Sequence, residues 1–248
     1  MTTTAADAPT TLALSQSDRL RLKIGLALPE LRAALHGITS HPRVADLYPE
    51  YLVTLHGMLR ATGPMMETAL RRARALAATD PVAAMLATYL AKHIPEEKNH
   101  DLWLLQDLEV LGWDRADVLR RPPSPTVAAL IGAQYYWIEH YHPVVALGYL
   151  EVAEGYPPTA EWVDALIAAT GYSRRAFRCI TRHVGLDLHH RDDLHALLDG
   201  LPLTTDQIAT IGVNALQSVH LAARALREVV ENADTGALGT AERSADRA

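Results

Sequence analysis

The chain has 248 residues, a formal net charge of −6 and a composition that is 49% hydrophobic. That is enough apolar material for a sizeable core, while the acidic balance, with no basic stripe among aromatics, argues against a nucleic-acid surface. Its one cysteine, Cys179, excludes an internal disulfide framework and fits a reducing cytoplasm. The N-terminal segment has neither the basic nor the apolar region of a secretory signal, and no apolar run approaches the roughly 20 residues of a membrane span. The chain therefore reads as a cytoplasmic protein that stays off membranes.

Residues 1–15 and 232–248 are small, polar and aperiodic, and read as disordered tails around a single helical domain over 16–231. Ala, Leu and Arg are frequent and alternating β-branched runs are scarce, which favours an all-α fold. The first helix is expected to start between Ser15 and Asp18, with Leu20, Ile24, Leu28 and Leu31 along one face. A second follows in HPRVADLYPEYLVTLHGMLRATG, with Pro49 opening its main part and Pro64 as a break or kink. A third starts at Asp80-Pro81, a capping residue followed by proline, and runs toward Gly112 with a bend at Pro95. After the turn RRPPSPT, one long apolar helix is expected over 127–154, containing Pro143 and ended by Pro157-Pro158. Two more follow, over 160–170 and from Ser173 onward, and a last one leads from Leu203-Thr204-Thr205 through Val230.

Three helices carry metal-ligand chemistry. His183, Asp187 and His190 form H-x3-D-x2-H, and positions i, i+4 and i+7 fall within roughly 60° on one helical face. Two imidazoles and a carboxylate facing one way match the mixed nitrogen and oxygen preference of non-haem iron. Upstream, HIPEEKNHDLWLL places Glu97 and His100 at i, i+3, the Glu-x-x-His pattern of helical di-iron carboxylate sites. His93 lies one turn before Glu97, and Glu96 lies beside it. In LGYLEVAEGYPP, Glu151 and Glu154 end an apolar helix, where a buried carboxylate needs a compensating positive charge. Glu97, His100, Glu154, His183, Asp187 and His190 together offer three imidazoles and three carboxylates, an inventory suited to two ferrous ions. His93, Glu96, Glu151 and Arg178 remain as extra ligands or substrate contacts. His142 is given a structural role in its His-Pro turn, and His189 and His195 are read as solvated.

These ordered elements resemble the haem-oxygenase-like di-iron oxidases and oxygenases, the iron-containing redox enzyme family, over roughly residues 45–195. The resemblance implies a single haem-oxygenase-like bundle of about seven helices that carries non-haem iron. It implies that Glu97 and His100 act as ligands of the first site helix, Glu154 as the central bridging glutamate, and His183, Asp187 and His190 as the terminal triplet. His93 or Glu96 would be substitutes for Glu97. It further implies two Fe(II) per chain, O2 as co-substrate, a separate electron donor, and a small amine, amino acid or carboxylate substrate. The expected outcome is N-oxygenation, oxidative C–C or C–N cleavage, or desaturation, by a monomer or homodimer. Two alternatives stand beside this one. The first is a metal-free enzyme of the thiaminase II or quinone-biosynthesis type on the same fold. The second is a non-enzymatic haem- or ligand-binding helical protein.

Overall fold

The computed structural model describes residues 14–236. The expectation of disordered tails therefore falls mostly outside the described residues, but 232–234 extend the last helix beyond the expected domain end. Among the described residues there are helices and turns but no strands, so the all-α expectation holds. No helix is long and apolar enough to cross a membrane.

Helix α1 spans Gln16–Thr39, capped by the Ser15 hydroxyl, which accepts from the Asp18 amide. Helix α2, Val44–Leu76, contains both Pro49 and Pro64 and is continuous through each, so the expected break at Pro64 does not occur. Helix α3, Pro81–Glu97, starts at Asp80, whose carboxylate accepts from the Ala83 amide. The other Asp80 oxygen lies 2.9 Å from Nε2 of His142, whose Nδ1 accepts from the Val144 amide, so His142 has the structural role its sequence context indicates.

The third expected helix divides in two. Asn99 takes a left-handed conformation, φ 70°, and separates α3 from α4, His100–Val110. Asparagine reaches this region more readily than other non-glycine residues. The next elements are α5, Arg115–Arg120, and α6, Pro125–His140. The expected long helix over 127–154 is also divided: α6 ends at His140, a 3-10 turn covers Pro143–Val145, and α7 spans Ala146–Glu154. Proline within the run removes a backbone donor and clashes with the preceding turn, and here the chain passes through a 3-10 turn before helix resumes. Helix α8, Ala160–Thr170, and a 3-10 turn at Arg174–Phe177 lead into α9, Arg178–Gly200. Helix α10, Thr205–Asp234, opens with a reciprocal cap between Thr204 and Gln207.

Two apolar clusters stack along the bundle, and α1, α2 and α10 pass through both. Leu20, Ile24, Met65, Leu86 and Leu150 belong to one; Ile38, Leu47, Tyr48, Leu104 and Phe177 belong to the other. Helix α9 bridges them differently. Cys179 and Ile180 join one cluster and Leu194 and Leu198 the other, while the residues buried between them are Asp187 and His190. Helix α7 packs closely on α10 through Gly148, where a Cβ would collide with the Ile211 carbonyl. That close approach brings the end of α7 into the middle of the molecule.

Candidate metal centre

The ends of α3 and α7, the start of α4 and the middle of α9 meet at one buried point. Glu154, on α7, is 3.2 Å through Oε1 from Nε2 of His93, and its Oε2 is 3.9 Å from Nδ1 of His190. One ligand atom from each of His93, Glu154 and His190 lies within 4.8 Å of the others, a separation suited to a shared cation. Glu97 extends this group. Its Oε1 lies 3.0 Å from His190 Nδ1 and its Oε2 3.1 Å from His100 Nδ1. The rings of His100 and His183 meet edge-on with centroids 5.1 Å apart, as do those of His93 and His190 at 4.8 Å.

The cluster has two lobes. His93, Glu154 and His190 form one; Glu97, His100 and His183 form the other, and Glu97 touches both through His190. The triplet of α9 is thus shared between the lobes. Glu97 and His100 do not project from one helix face, because Asn99 breaks the helix between them; they meet across the break. Glu96, one residue earlier, is 3.6 Å from Nδ1 of His93 on its more open side, with a side chain that remains 34% exposed.

Several polar atoms of this centre are not satisfied within the protein. Glu154 Oε2 and Asp187 Oδ1 are buried without a hydrogen bond, and Glu97 Oε1, His100 Nδ1 and His190 Nδ1 have only the charge contacts through Glu97 given above. Leaving one such group unsatisfied costs about 1–3 kcal/mol, and more when it is charged, so the set favours an occupant that binds nitrogen and oxygen at once. A divalent cation fits that donor set.

The electrostatics point the same way. Burial would raise Glu97, but the His100 and His190 rings outweigh it and hold its carboxyl well below the usual range. Burial pushes Asp187 up to about 8, and the nearby Glu154 and Glu97 carboxylates push with it. Burial lowers His183. It also pulls down on His93, but Glu154 and Glu97 carry that ring to a net raised pKa, and His190 is raised chiefly by its contact with Glu97. Carboxylates that crowd together while His93 and His190 are drawn toward protonation form a centre short of positive charge.

Four other residues singled out in the sequence lie elsewhere. Glu151 is fully buried, yet it faces away from the cluster: Arg21 Nη1 is 3.3 Å from Oε1, and His195 Nε2 is 3.0 Å from Oε2. Its charge is already balanced, so the reading of Glu151 as an extra ligand is corrected. The same contact corrects the reading of His195 as solvated, whereas His189 is exposed as expected, 3.7 Å from Asp193. Arg178 donates to Gln106 on α4 and is not among the residues around the cavity described below.

Some supporting residues were not picked out by sequence reasoning. Asp107, on α4 and fully buried, accepts the backbone amides of Arg178 and Cys179 at 3.0 and 2.9 Å. It caps α9 from another helix, where α9 has no side-chain cap of its own. Asp107 lies two turns beyond His100, so one helix both supplies a cluster residue and anchors the helix bearing three more. Tyr89, one turn before His93, stacks on that ring at 5.1 Å with its hydroxyl buried and unpartnered. The i, i+4 spacing of Tyr89 and His93 was the available signal.

A cavity of about 680 Å³ opens beside the cluster, with His183 and Asp187 in its wall. It runs between α1, α2, α8 and α9 and is lined mainly by Leu28, Leu59, Tyr51, Leu104, Trp162 and Ile180, with arginines 21, 32 and 191 also around it. Apolar walls with a few placed polar groups are the ordinary make-up of a small-molecule site.

The sequence model for the iron-containing redox enzymes matches residues 55–223. Among solved structures, a domain of unknown function with a haem oxygenase-like fold from Shewanella denitrificans OS217 superposes with a TM-score of 0.77. It is 20% identical, over 92% of this chain and 97% of that one. A TenA homologue from Pseudomonas syringae pv. tomato DC3000 superposes with a TM-score of 0.61 at 14% identity, over 84% of this chain and 92% of that one. No curated protein matches the sequence. The two structural likenesses establish a haem-oxygenase-like fold. The family match spans every residue of the cluster from His93 to His190, and the chain belongs to the iron-containing redox enzyme family.

Proposed function

We propose that the protein is a non-haem di-iron, O2-activating oxidase or oxygenase acting on a small amine, amino acid or carboxylate. The observation that carries this is the convergence of imidazoles and carboxylates from α3, α4, α7 and α9 on one point, with Glu154 Oε2 and Asp187 Oδ1 buried and unpartnered, beside an apolar cavity. His93, Glu154 and His190 would hold one ion, and Glu97, His100 and His183 the other. Glu97 spans the two lobes, and Asp187 completes the set from the cavity side. Iron held there would supply a redox-active centre for chemistry with O2.

The protein's own part is to hold, exclude and orient. Seven side chains from four helices fix the donors, and His93, His100, Glu154, Asp187 and His190 among them are buried. With its carboxyl pushed up to about 8 by burial, Asp187 would give up a proton on becoming a ligand. The cavity brings a small molecule against His183 and Asp187 on the face of α9 that the cluster does not fill. The test is an anaerobic Fe(II) titration followed by O2 uptake. About two irons per chain, with His183→Ala reducing both stoichiometry and O2 consumption, is the expected result. Absence of specific iron binding in the folded protein would sink the proposal and move the metal-free enzyme on the same fold ahead of it.

A further inference from the structure

The cavity beside the cluster has a chemical gradient from rim to floor. Three arginines stand at the rim: Arg32 is exposed, and Arg21 and Arg191 keep side-chain exposures of 34% and 29%. Their engagements differ. Arg21 pairs with Glu151 and donates to the Gly155 carbonyl at 3.1 Å. Arg191 pairs with its neighbour Asp192 at 3.0 Å. Arg32 makes no ion pair or hydrogen bond among the described residues, so the rim carries one uncompensated guanidinium.

Tyr156 stands among them. The Arg21 guanidinium lies over its ring, 5.0 Å from the centroid, and Arg32 is close enough to act on it electrostatically. The Tyr156 hydroxyl is buried and has no hydrogen-bond partner. An unpartnered hydroxyl flanked by guanidinium groups is a donor set without its acceptor, and a buried donor left in that state is costly. The floor contrasts with this. Leu104 and Ile180 are almost fully buried there, alongside the site residues His183 and Asp187. Apart from Asp187, the residues around the cavity carry no acidic side chain.

We infer that the substrate is an amphipathic carboxylate, its head group held at the rim by Arg32, Arg21 and the Tyr156 hydroxyl. Its apolar body lies on the floor against His183 and Asp187. A single spare guanidinium and one hydroxyl suit a monoanion, which a fork of N–H donors grips in two places. A simple amine is disfavoured by the same rim. The apolar body, and not the carboxylate, is what the molecule presents to the cluster. This inference rests on the iron reading only for the meaning of the floor, since the rim's preference for an anion is independent of any metal.

The experiment is calorimetric titration of the purified protein with 4-phenylbutyrate, 4-phenylbutan-1-ol and 4-phenylbutylamine, with an Fe(II) titration run in parallel. The expected result is that the carboxylate binds about tenfold or more tightly than the alcohol or the amine. Arg32→Ala removes that preference, and Leu59→Trp, which fills the cavity, abolishes binding of all three while circular dichroism remains unchanged. Equal or tighter binding of the alcohol or amine would overturn the inference, as would a preference untouched in Arg32→Ala. Iron bound without a carboxylate preference overturns the carboxylate seat alone. A carboxylate preference in protein that binds no iron supports the seat and overturns the iron reading.

Discussion

Glu151 and Glu154 stand one turn apart on α7, both buried, and differ in what faces them. Both oxygens of Glu151 are engaged, by Arg21 and by His195. Glu154 meets His93 through one oxygen and leaves the other buried and unpartnered, pointing toward His190. The chemical group is the same, and so is the depth. A buried carboxylate that the fold has fully paired serves as a brace between helices. One that the fold leaves half-paired among four histidines and two more carboxylates is held ready for something from outside. Satisfaction, more than burial, separates the structural glutamate from the functional one.

The largest test of this comparison is Glu154→Gln against Glu151→Gln. The first is expected to lower iron affinity by about 100-fold or more with little loss of folding stability, since it removes one member of a crowded set of carboxylates. The second is expected to leave iron binding in place and to cost about 2–3 kcal/mol. That is less than the roughly 3–5 kcal/mol for breaking a fully buried pair, because Arg21 is partly solvated. Iron titration and chemical denaturation of the two variants measure both effects, and interchanged outcomes would break the distinction.

Asp107→Ala comes next. It removes the cap that α4 provides to α9 and should cost about 1–2 kcal/mol in denaturation, together with weaker iron binding, because the α9 triplet loses its anchor. Asp107→Asn, which keeps one acceptor oxygen, should recover part of both.

The pH dependence of the iron-free protein sharpens the picture further. Asp187 has a pKa of about 8 when folded, well above its ordinary value of 3.8. Between those two values the unfolded chain has given up a proton that the folded chain keeps, so the Asp187 contribution to stability falls as pH rises from about 4 to 8. His93 and His190, both raised, act in the same direction, and their contribution is lost as pH rises through their folded values. Chelator-treated protein should therefore lose stability toward alkaline pH, and Asp187→Asn should flatten the slope; a denaturation series across pH decides it. The smallest expected effect is that of Arg178→Ala, at most about 0.5 kcal/mol with iron binding unchanged, since among the described residues the side-chain hydrogen bond of Arg178 goes to Gln106 alone.

The helical periodicity, the caps at Ser15, Asp80 and Thr204, and the spacing of His183, Asp187 and His190 could all be read along the chain, because each depends on residues within one or two turns of one another. The break at Asn99 was not legible, since Pro95 is the stronger signal in that stretch and yet lies inside α3. Glu97 and His100 still meet, but through a turn and not along a helix face. The unbroken passage of α2 through Pro64 shows the reverse, with packing on both sides holding a helix across a residue that ordinarily interrupts one.

By itself, the sequence determined the all-α class, the starts of several helices and the chemical types available for a metal centre, since these follow from local periodicity and composition. Only the tertiary structure decided which donors share a lobe, that Glu154 and not Glu151 enters the cluster, that His93 stands with His190, and that Asp107 clamps α9. Those outcomes depend on the rotation of each helix against its neighbours. A change of one residue in helical phase, about 100°, turns a side chain from the centre toward another helix, and nothing local to the chain specifies that angle.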